Sequence, residues 1–240
     1  MSIKPDRRFE GQGMVEYALV LLLIAVVSLL ILQLSGVSVR DVYCRVAAGF
    51  SANACRQSTA YCQDSFDSPG GWQPPSGGAL PAGWNVANGQ LCAGGTGIIT
   101  NKCSMAGMPS PDYVVEASNA KLDKGNGYGV FFRVTDTGAG INGYAFQYDP
   151  GLAGVVIRKW VNGVEINPAL AYKSLPGTDW YGAAHTLSVS VVGDTFIGML
   201  DGKPVITARD STYPSGGTGL RTWDSTSVCM DGFNVNPIVP

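Results

Sequence analysis

The chain has 240 residues, only 14% of them charged, and a formal net charge of −2, so it carries no electrostatic footprint for nucleic acid. Its 32 glycines and 14 prolines suit a turn-rich β domain. Six cysteines with no Cys-x-x-Cys pair, and a single histidine, argue against a zinc site and for disulfides in an oxidising compartment.

Residues 1–11 place Lys4, Arg7 and Arg8 against Asp6 and Glu10. An apolar run follows, reaching Leu34, and from Tyr17 to Val39 there is no charged residue. As a helix the run is roughly 30 Å long or more, enough to cross the hydrocarbon core of a bilayer. Basic residues just before such a run keep that end in the cytoplasm, so everything after Leu34 is expected to be translocated. Glu16, at the start of the run, is costly there and is therefore a functional candidate. A signal peptide would need a shorter apolar core and a small-residue cleavage site. A plain signal anchor accounts for the length, but not for the spacing of Gly11 and Glu16.

The stretch Gly11-Gln12-Gly13-Met14-Val15-Glu16-Tyr17 resembles the processing signature of type IV pilins, in particular the Flp (Tad, type IVb) branch. The resemblance covers roughly residues 4 to 48. It implies cleavage by a prepilin peptidase between Gly11 and Gln12, with Glu16 and Tyr17 as assembly residues. In a helical filament of identical subunits, the Glu16 carboxylate can meet the new Gln12 ammonium of a neighbour, a pair that mainly fixes axial register. The same resemblance implies an assembly ATPase and an inner-membrane platform as partners. It also implies residence in the inner membrane as a prepilin, then in an extracellular pilus.

Ser35-Gly36 interrupts the run, and a continued helix is expected through Ala48. Residues 50–63 read as a small, polar stalk. From Asp64 the texture changes to strands. Gly83-Trp84-Asn85-Val86-Ala87-Asn88-Gly89-Gln90-Leu91 holds an Asn-Gly hairpin turn. Strand candidates follow at Tyr113–Ala117, Gly129–Val134, Gly143–Tyr148, Gly154–Trp160, His185–Val192 and Thr195–Leu200. After an Asp201-Gly202 turn come Pro204–Ala208 and Ser227–Val235. About ten short strands with turns between them predict an antiparallel sandwich. No helical period of useful length is evident after Phe50.

Asp64-Ser65-Phe66, the Trp84 hairpin, Tyr128-Gly129-Val130-Phe131-Phe132-Arg133, Leu200-Asp201-Gly202, Gly219–Trp223 and Asp231–Val235 resemble the concanavalin A-like (laminin G-like) jelly roll. The predicted fold class is thus α+β, a long N-terminal apolar helix followed by an antiparallel β-sandwich. The predicted divisions are a leader at 1–11, a membrane or filament-core helix at 12–49, the stalk at 50–63 and the sandwich at 64–240. The fold itself leaves lectins, glycosidases, glycan-binding modules and spacers all open.

A glycosidase on this fold is expected to carry Glu-x-Asp-x-x-Glu or a close variant on one strand, and no such run exists. With one histidine and no Gly-x-Ser-x-Gly elbow there is no obvious nucleophilic set either. The sequence reading is therefore not an enzyme. Trp160, Trp180, Tyr181 and Trp223 are candidate glycan contacts, against the competing reading that they fill the core or its rim. Asp64, Asp67 and Asp231 would offer oxygen ligands to calcium if the first and last strands paired; turn aspartates without metal are the competing reading, and no other cofactor is expected. For the cysteines the local pair Cys92–Cys103 is expected, with Cys62–Cys229 across the first and last strands and Cys44–Cys55 at the helix end, or else Cys55–Cys62.

The reading that follows is a pilin displaying a sandwich on the filament surface for adhesion to glycans or surfaces. Its alternatives are a membrane-anchored carbohydrate-binding surface protein, or a minor tip adhesin.

Overall fold

The computed structural model describes residues 60–238, together with Tyr17, Leu19–Ile24 and Val27. The chain divides into two compact units, Met1–Gln57 and Ser58–Pro240. In the first, the described residues are helical and their large apolar side chains are exposed. Among the described residues no helix is long and apolar enough to cross a membrane. The architecture these residues establish is a β-sandwich; the long helix that would make it α+β, with Gly11, Gln12, Glu16, Cys44 and Cys55, lies largely or wholly outside them.

The second unit is built of two antiparallel sheets. The first runs β14 (Lys203–Arg209), β13 (Thr195–Leu200), β12 (Ala184–Val192), β6 (Tyr113–Lys124), β16 (Ser227–Met230), β4 (Gln90–Gly94) and β3 (Asn85–Ala87). In the same sheet β17 (Gly232–Pro237) pairs with β6 and with β1 (Cys62–Asp64). The second sheet runs β10 (Val164–Glu165), β9 (Gly154–Val161), β8 (Ile141–Asp149), β7 (Tyr128–Asp136), β15 (Gly217–Thr222), β5 (Gly97–Asn101) and β2 (Trp72–Gln73). The short β11 (Ala171–Ser174) adds to β9.

Strict alternation makes the core. Val115 and Ala117 on β6, Leu187, Val189 and Val191 on β12, and Phe233 and Val235 on β17 point inward from the first sheet. Val130 and Phe132 on β7, with Tyr144, Phe146 and Tyr148 on β8, meet them from the second. The tight turns sit where Asn-Gly and Asp-Gly pairs allow two successive positive φ angles: Asn88 (55°) and Gly89 (71°) join β3 to β4, and Asp201 (52°) and Gly202 (73°) join β13 to β14. Asn162 (50°) and Gly163 (79°) do the same between β9 and β10.

Two features correct the sequence reading. Lys102–Met105 forms one helical turn, α1, opened by Asn101, whose side chain accepts a hydrogen bond from the Ser104 amide at 3.0 Å. A four-residue helix is too short to show a period. The disulfides are also exchanged relative to expectation: Cys62 pairs with Cys103 and Cys92 with Cys229. Cys92 and Cys103 are close in sequence, but β4 lies in the first sheet and β5, which leads into α1, in the second. The register of β4 on β16 instead sets Cys92 directly opposite Cys229, with the Cα atoms 4.1 Å apart. The Cys44 and Cys55 pairings lie outside the described residues.

Candidate functional site

The outer face of the second sheet carries an unusual load for a strand surface. On β8, Gln147 and Asp149 alternate with the inward Phe146 and Tyr148; on β9, Arg158 and Trp160 alternate with the inward Ile157. On β15, Arg221 follows the inward Leu220, and Trp223 lies just beyond the strand end. The register brings them together: Gln147 faces Val156 on one side and Gly129 on the other, and Gly129 faces Arg221. Glu165 arrives from β10, opposite Trp160.

Beneath the ions is a second, small apolar layer of Phe131, Val134, Ile141, Ala145 and Trp160, with Phe131 and Trp160 meeting edge to face at 5.2 Å. Above it the Arg221 guanidinium lies between two indoles, 4.5 Å from the ring centre of Trp160 and 4.5 Å from that of Trp223. Trp223 is held by close packing at the β6–β7 turn: a Cβ on Gly127 (φ +131°) would fall 2.9 Å from the Trp223 ring and 2.0 Å from the Tyr148 carbonyl, so only glycine fits.

Glu165 is the hub. Its Oε1 lies 2.8 Å from Arg158 Nε, and its Oε2 accepts from Gln147 Nε2 at 3.0 Å and pairs with Arg221 Nη1. Arg158 Nη1 donates onward to Asn167 Oδ1 at 2.6 Å. Burial pushes the Arg221 pKa below its usual value, and the Glu165 contact works against that shift. Asp149, two residues along β8 from Gln147, has its carboxyl raised, chiefly by burial and also by the Glu165 charge; the Leu152 amide, donating to Oδ1 at 3.0 Å, opposes the rise.

The four aromatic residues expected to contact glycan therefore divide. Trp160 and Trp223 flank one guanidinium. Trp180 packs on the Tyr148 ring at 4.8 Å, and its carbonyl accepts from the Tyr148 hydroxyl. The Tyr181 hydroxyl donates to Gly125 O at 3.0 Å. Of the expected calcium ligands, Asp64 accepts from the Phe66 amide and from Trp72 Nε1, Asp67 from the Ser65 hydroxyl, and Asp231 from Gln90 and Asn119. Strands β1 and β17 do pair. Among the described residues, however, no three His, Cys, Asp or Glu side chains gather as metal ligands.

Sequence reasoning missed Arg158, Glu165, Arg221, Gln147 and Asp149. The available signal was the repeated pairing of a polar and an aromatic or acidic residue two positions apart, within strands whose other face is largely apolar. The partners lie on four different strands, and only the register shows that they meet.

No protein-family model and no curated protein matches this chain. Solved structures do. The carbohydrate binding module CBM66 from Bacillus subtilis superposes with a TM-score of 0.53 at 25% identity, over 68% of this chain and 94% of its own. The Bacillus licheniformis beta-glucanase gives 0.56 at 14%, over 76% and 100%. A prokaryotic beta-1,3-1,4-glucanase (lichenase) derived from a mouse hindgut metagenome gives 0.55 at 12%, over 74% and 99%. The fold is a jelly roll. These likenesses bear out the antiparallel β-sandwich.

They also overturn the exclusion of enzymes. The sequence reading rejects a hydrolase because no strand carries Glu-x-Asp-x-x-Glu, yet the sandwich is shared with two glucanases. The physical flaw is that a linear motif is only one way to put two carboxyls on one face. Asp149 from β8 and Glu165 from β10 stand on the same face without it, close enough for the Glu165 charge to raise the Asp149 pKa.

Proposed function

We propose that the sandwich is a carbohydrate-recognition domain, and that the ligand contacts the outer face of the second sheet around Arg158, Glu165, Arg221, Trp160 and Trp223. The single observation that carries this reading is the Arg221 guanidinium held between two indoles and tied to Glu165. Trp160, 5% exposed, braces the guanidinium from below, and the half-buried Trp223 beside the donor fork offers the ring edge and directional hydrogen bonds a sugar would meet. The 25% identical carbohydrate-binding module supports the same reading. It is tested by incubating the whole protein with a panel of soluble and insoluble polysaccharides and measuring retention and tryptophan fluorescence. Binding to at least one polysaccharide, lost in Trp223→Ala with the fold intact, is expected; retention of none would refute the reading. Since glucanases share the fold, the same incubations are assayed for released reducing ends.

For the first unit we propose that it displays this domain outside the cytoplasm as a surface anchor. The exposed apolar side chains of Leu19–Ile24 and the two disulfides of the second unit support display at a membrane in an oxidising compartment. The filament-subunit reading is the narrower form of this proposal and rests on the Gly11–Tyr17 pattern. Mass spectrometry of the N-terminal peptide separates the two: a chain starting at Gln12 supports pilin-type processing, and an intact start supports a simple anchor.

A further inference from the structure

Building on the carbohydrate reading, we infer that the ligand is an acidic polysaccharide, recognised through the carboxylates of its sugars by the free edges of Arg158 and Arg221. Two guanidinium groups converge on one carboxylate, Glu165. Oε2 of that carboxylate accepts from Gln147 Nε2 and Arg221 Nη1, and its Oε1 lies 2.8 Å from Arg158 Nε. One carboxylate thus stands against two guanidinium charges, and this group of three keeps a net positive charge.

The donors are also in surplus. Arg158 donates from Nη1 to Asn167 while its Nε only lies near Glu165 Oε1, and Arg221 donates from Nη1 to Glu165. The Nη2 of each has no acceptor among the described residues, and neither is among the enclosed, unpartnered nitrogens, as the Nε atoms of both Arg158 and Arg221 are. Both Nη2 groups therefore face solvent, on side chains that are otherwise covered: Arg158 is 14% exposed and Arg221 11%. The stack between Trp160 and Trp223 fixes the plane of the Arg221 fork before any ligand arrives.

A planar, pre-oriented pair of cationic donors matches a carboxylate better than it matches a hydroxyl. Burial lowers the Arg221 pKa, and an incoming anion acts against that shift as Glu165 does, by stabilising the charged guanidinium. Asp149 is the remaining acid on this face. It is largely buried with Oδ1 turned to the Leu152 amide, which makes it a weaker counter-charge than Glu165.

The test is isothermal titration of the full chain with an oligogalacturonate, with the same oligomer after its carboxyl groups are reduced to alcohols, and with a neutral gluco-oligosaccharide of equal length. The uronate is expected to bind about tenfold or more tightly than its reduced form, and to weaken as sodium chloride is raised. Arg221→Lys and Arg158→Lys keep the charge but lose the fork; each is expected to lower uronate affinity about tenfold, measured below the melting temperature of the variant, which itself falls as the contacts to Glu165 and the indoles weaken. If the reduced or neutral oligomer binds as well as the uronate, the acidic-sugar inference fails while the carbohydrate reading stands. If no oligomer binds and the polysaccharide panel is also negative, both fail.

Discussion

The two sheets bury their inner faces in the same way, but their outer faces follow different rules. On the first sheet the outward residues of β6, β12 and β17 include Glu116, Ser118, Ser188, Ser190, Asn234 and Asn236, small or singly charged groups, of which Glu116, Ser118 and Asn234 hydrogen-bond to one another. The Ser118 hydroxyl donates to Glu116 at 2.7 Å and accepts from Asn234. On the second sheet the outward residues are two arginines, two acids and two indoles, drawn from four strands and set over their own apolar layer. Desolvating ions costs several kcal/mol each unless they are fully paired, so a fold seeking only stability would use the first arrangement twice. The asymmetry points to the second sheet as the working surface.

Four tests break or sharpen that contrast. The largest effect is expected on the first sheet, from its cross-link. Replacing Cys92 and Cys229 by serine opens a loop with a sequence separation of 137, and should cost about 1 kcal/mol more than opening Cys62–Cys103, with a separation of 41. Chemical denaturation of each variant measures both, with losses of about 5 and 4 kcal/mol expected. An equal or reversed order would mean that the shorter loop carries native-state interactions beyond chain closure.

Next, Glu165→Gln leaves two guanidinium groups facing each other without their shared anion. A loss of about 3 kcal/mol is expected, discounted at most modestly because Glu165 is 28% exposed. Replacing the hub carboxylate by methionine together with both arginines by leucine should recover much of that loss while abolishing binding. If Glu165→Gln is neutral, the network is a solvated surface cluster and the contrast between the sheets collapses.

The third test is pH. Burial raises the Asp149 carboxyl above its unfolded value, so the folded state holds this proton more tightly than the unfolded chain does. The resulting penalty is absent at acidities below the unfolded pKa, near about 3.9, and grows as pH rises through the folded pKa. Asp149→Asn removes it while keeping an acceptor for Leu152. The variant's melting-temperature advantage should therefore be greater at pH 7 than at pH 4. An offset constant across that range would show that Asp149 does not titrate differently in the two states.

The smallest effect belongs to Glu116→Gln on the first sheet. Its carboxylate meets only a neighbouring hydroxyl, and a change of about 0.5 kcal/mol or less is expected from the same denaturation experiment.

Much of the sandwich was legible in the sequence because its signals are local. Asn88-Gly89 and Asp201-Gly202 fix turns with their own dihedral angles, and the alternation in Tyr144-Ala145-Phe146-Gln147-Tyr148 declares a strand with one buried face. The second half of β6, Ala120 to Lys124, was missed because the positive φ at Asn119 (50°) and the flanking charges mask a run in which Ala120 and Leu122 still point inward. The site was hidden for a different reason. Arg158, Glu165 and Arg221 are ordinary strand residues until the order β10-β9-β8-β7-β15 places them on one face. The disulfides failed on the same ground: proximity along the chain favoured Cys92 with Cys103, but the sheets those segments join are different ones.

The pairing of the first strand with the last also decides how the domain answers a pull. Tension arriving along the chain from the N-terminal side first reaches β1, which runs antiparallel to β17 through Cys62–Val235, Gln63–Asn234 and Asp64–Phe233. Three rungs would unzip readily by themselves. At the first of them, however, Cys62 is bolted to Cys103, beside β5 in the opposite sheet. The load is thus divided between the edge of one sheet and the turn that follows β5 in the other, so the seam does not peel from its first rung. Reducing conditions would remove that second path and leave three rungs to bear the pull alone.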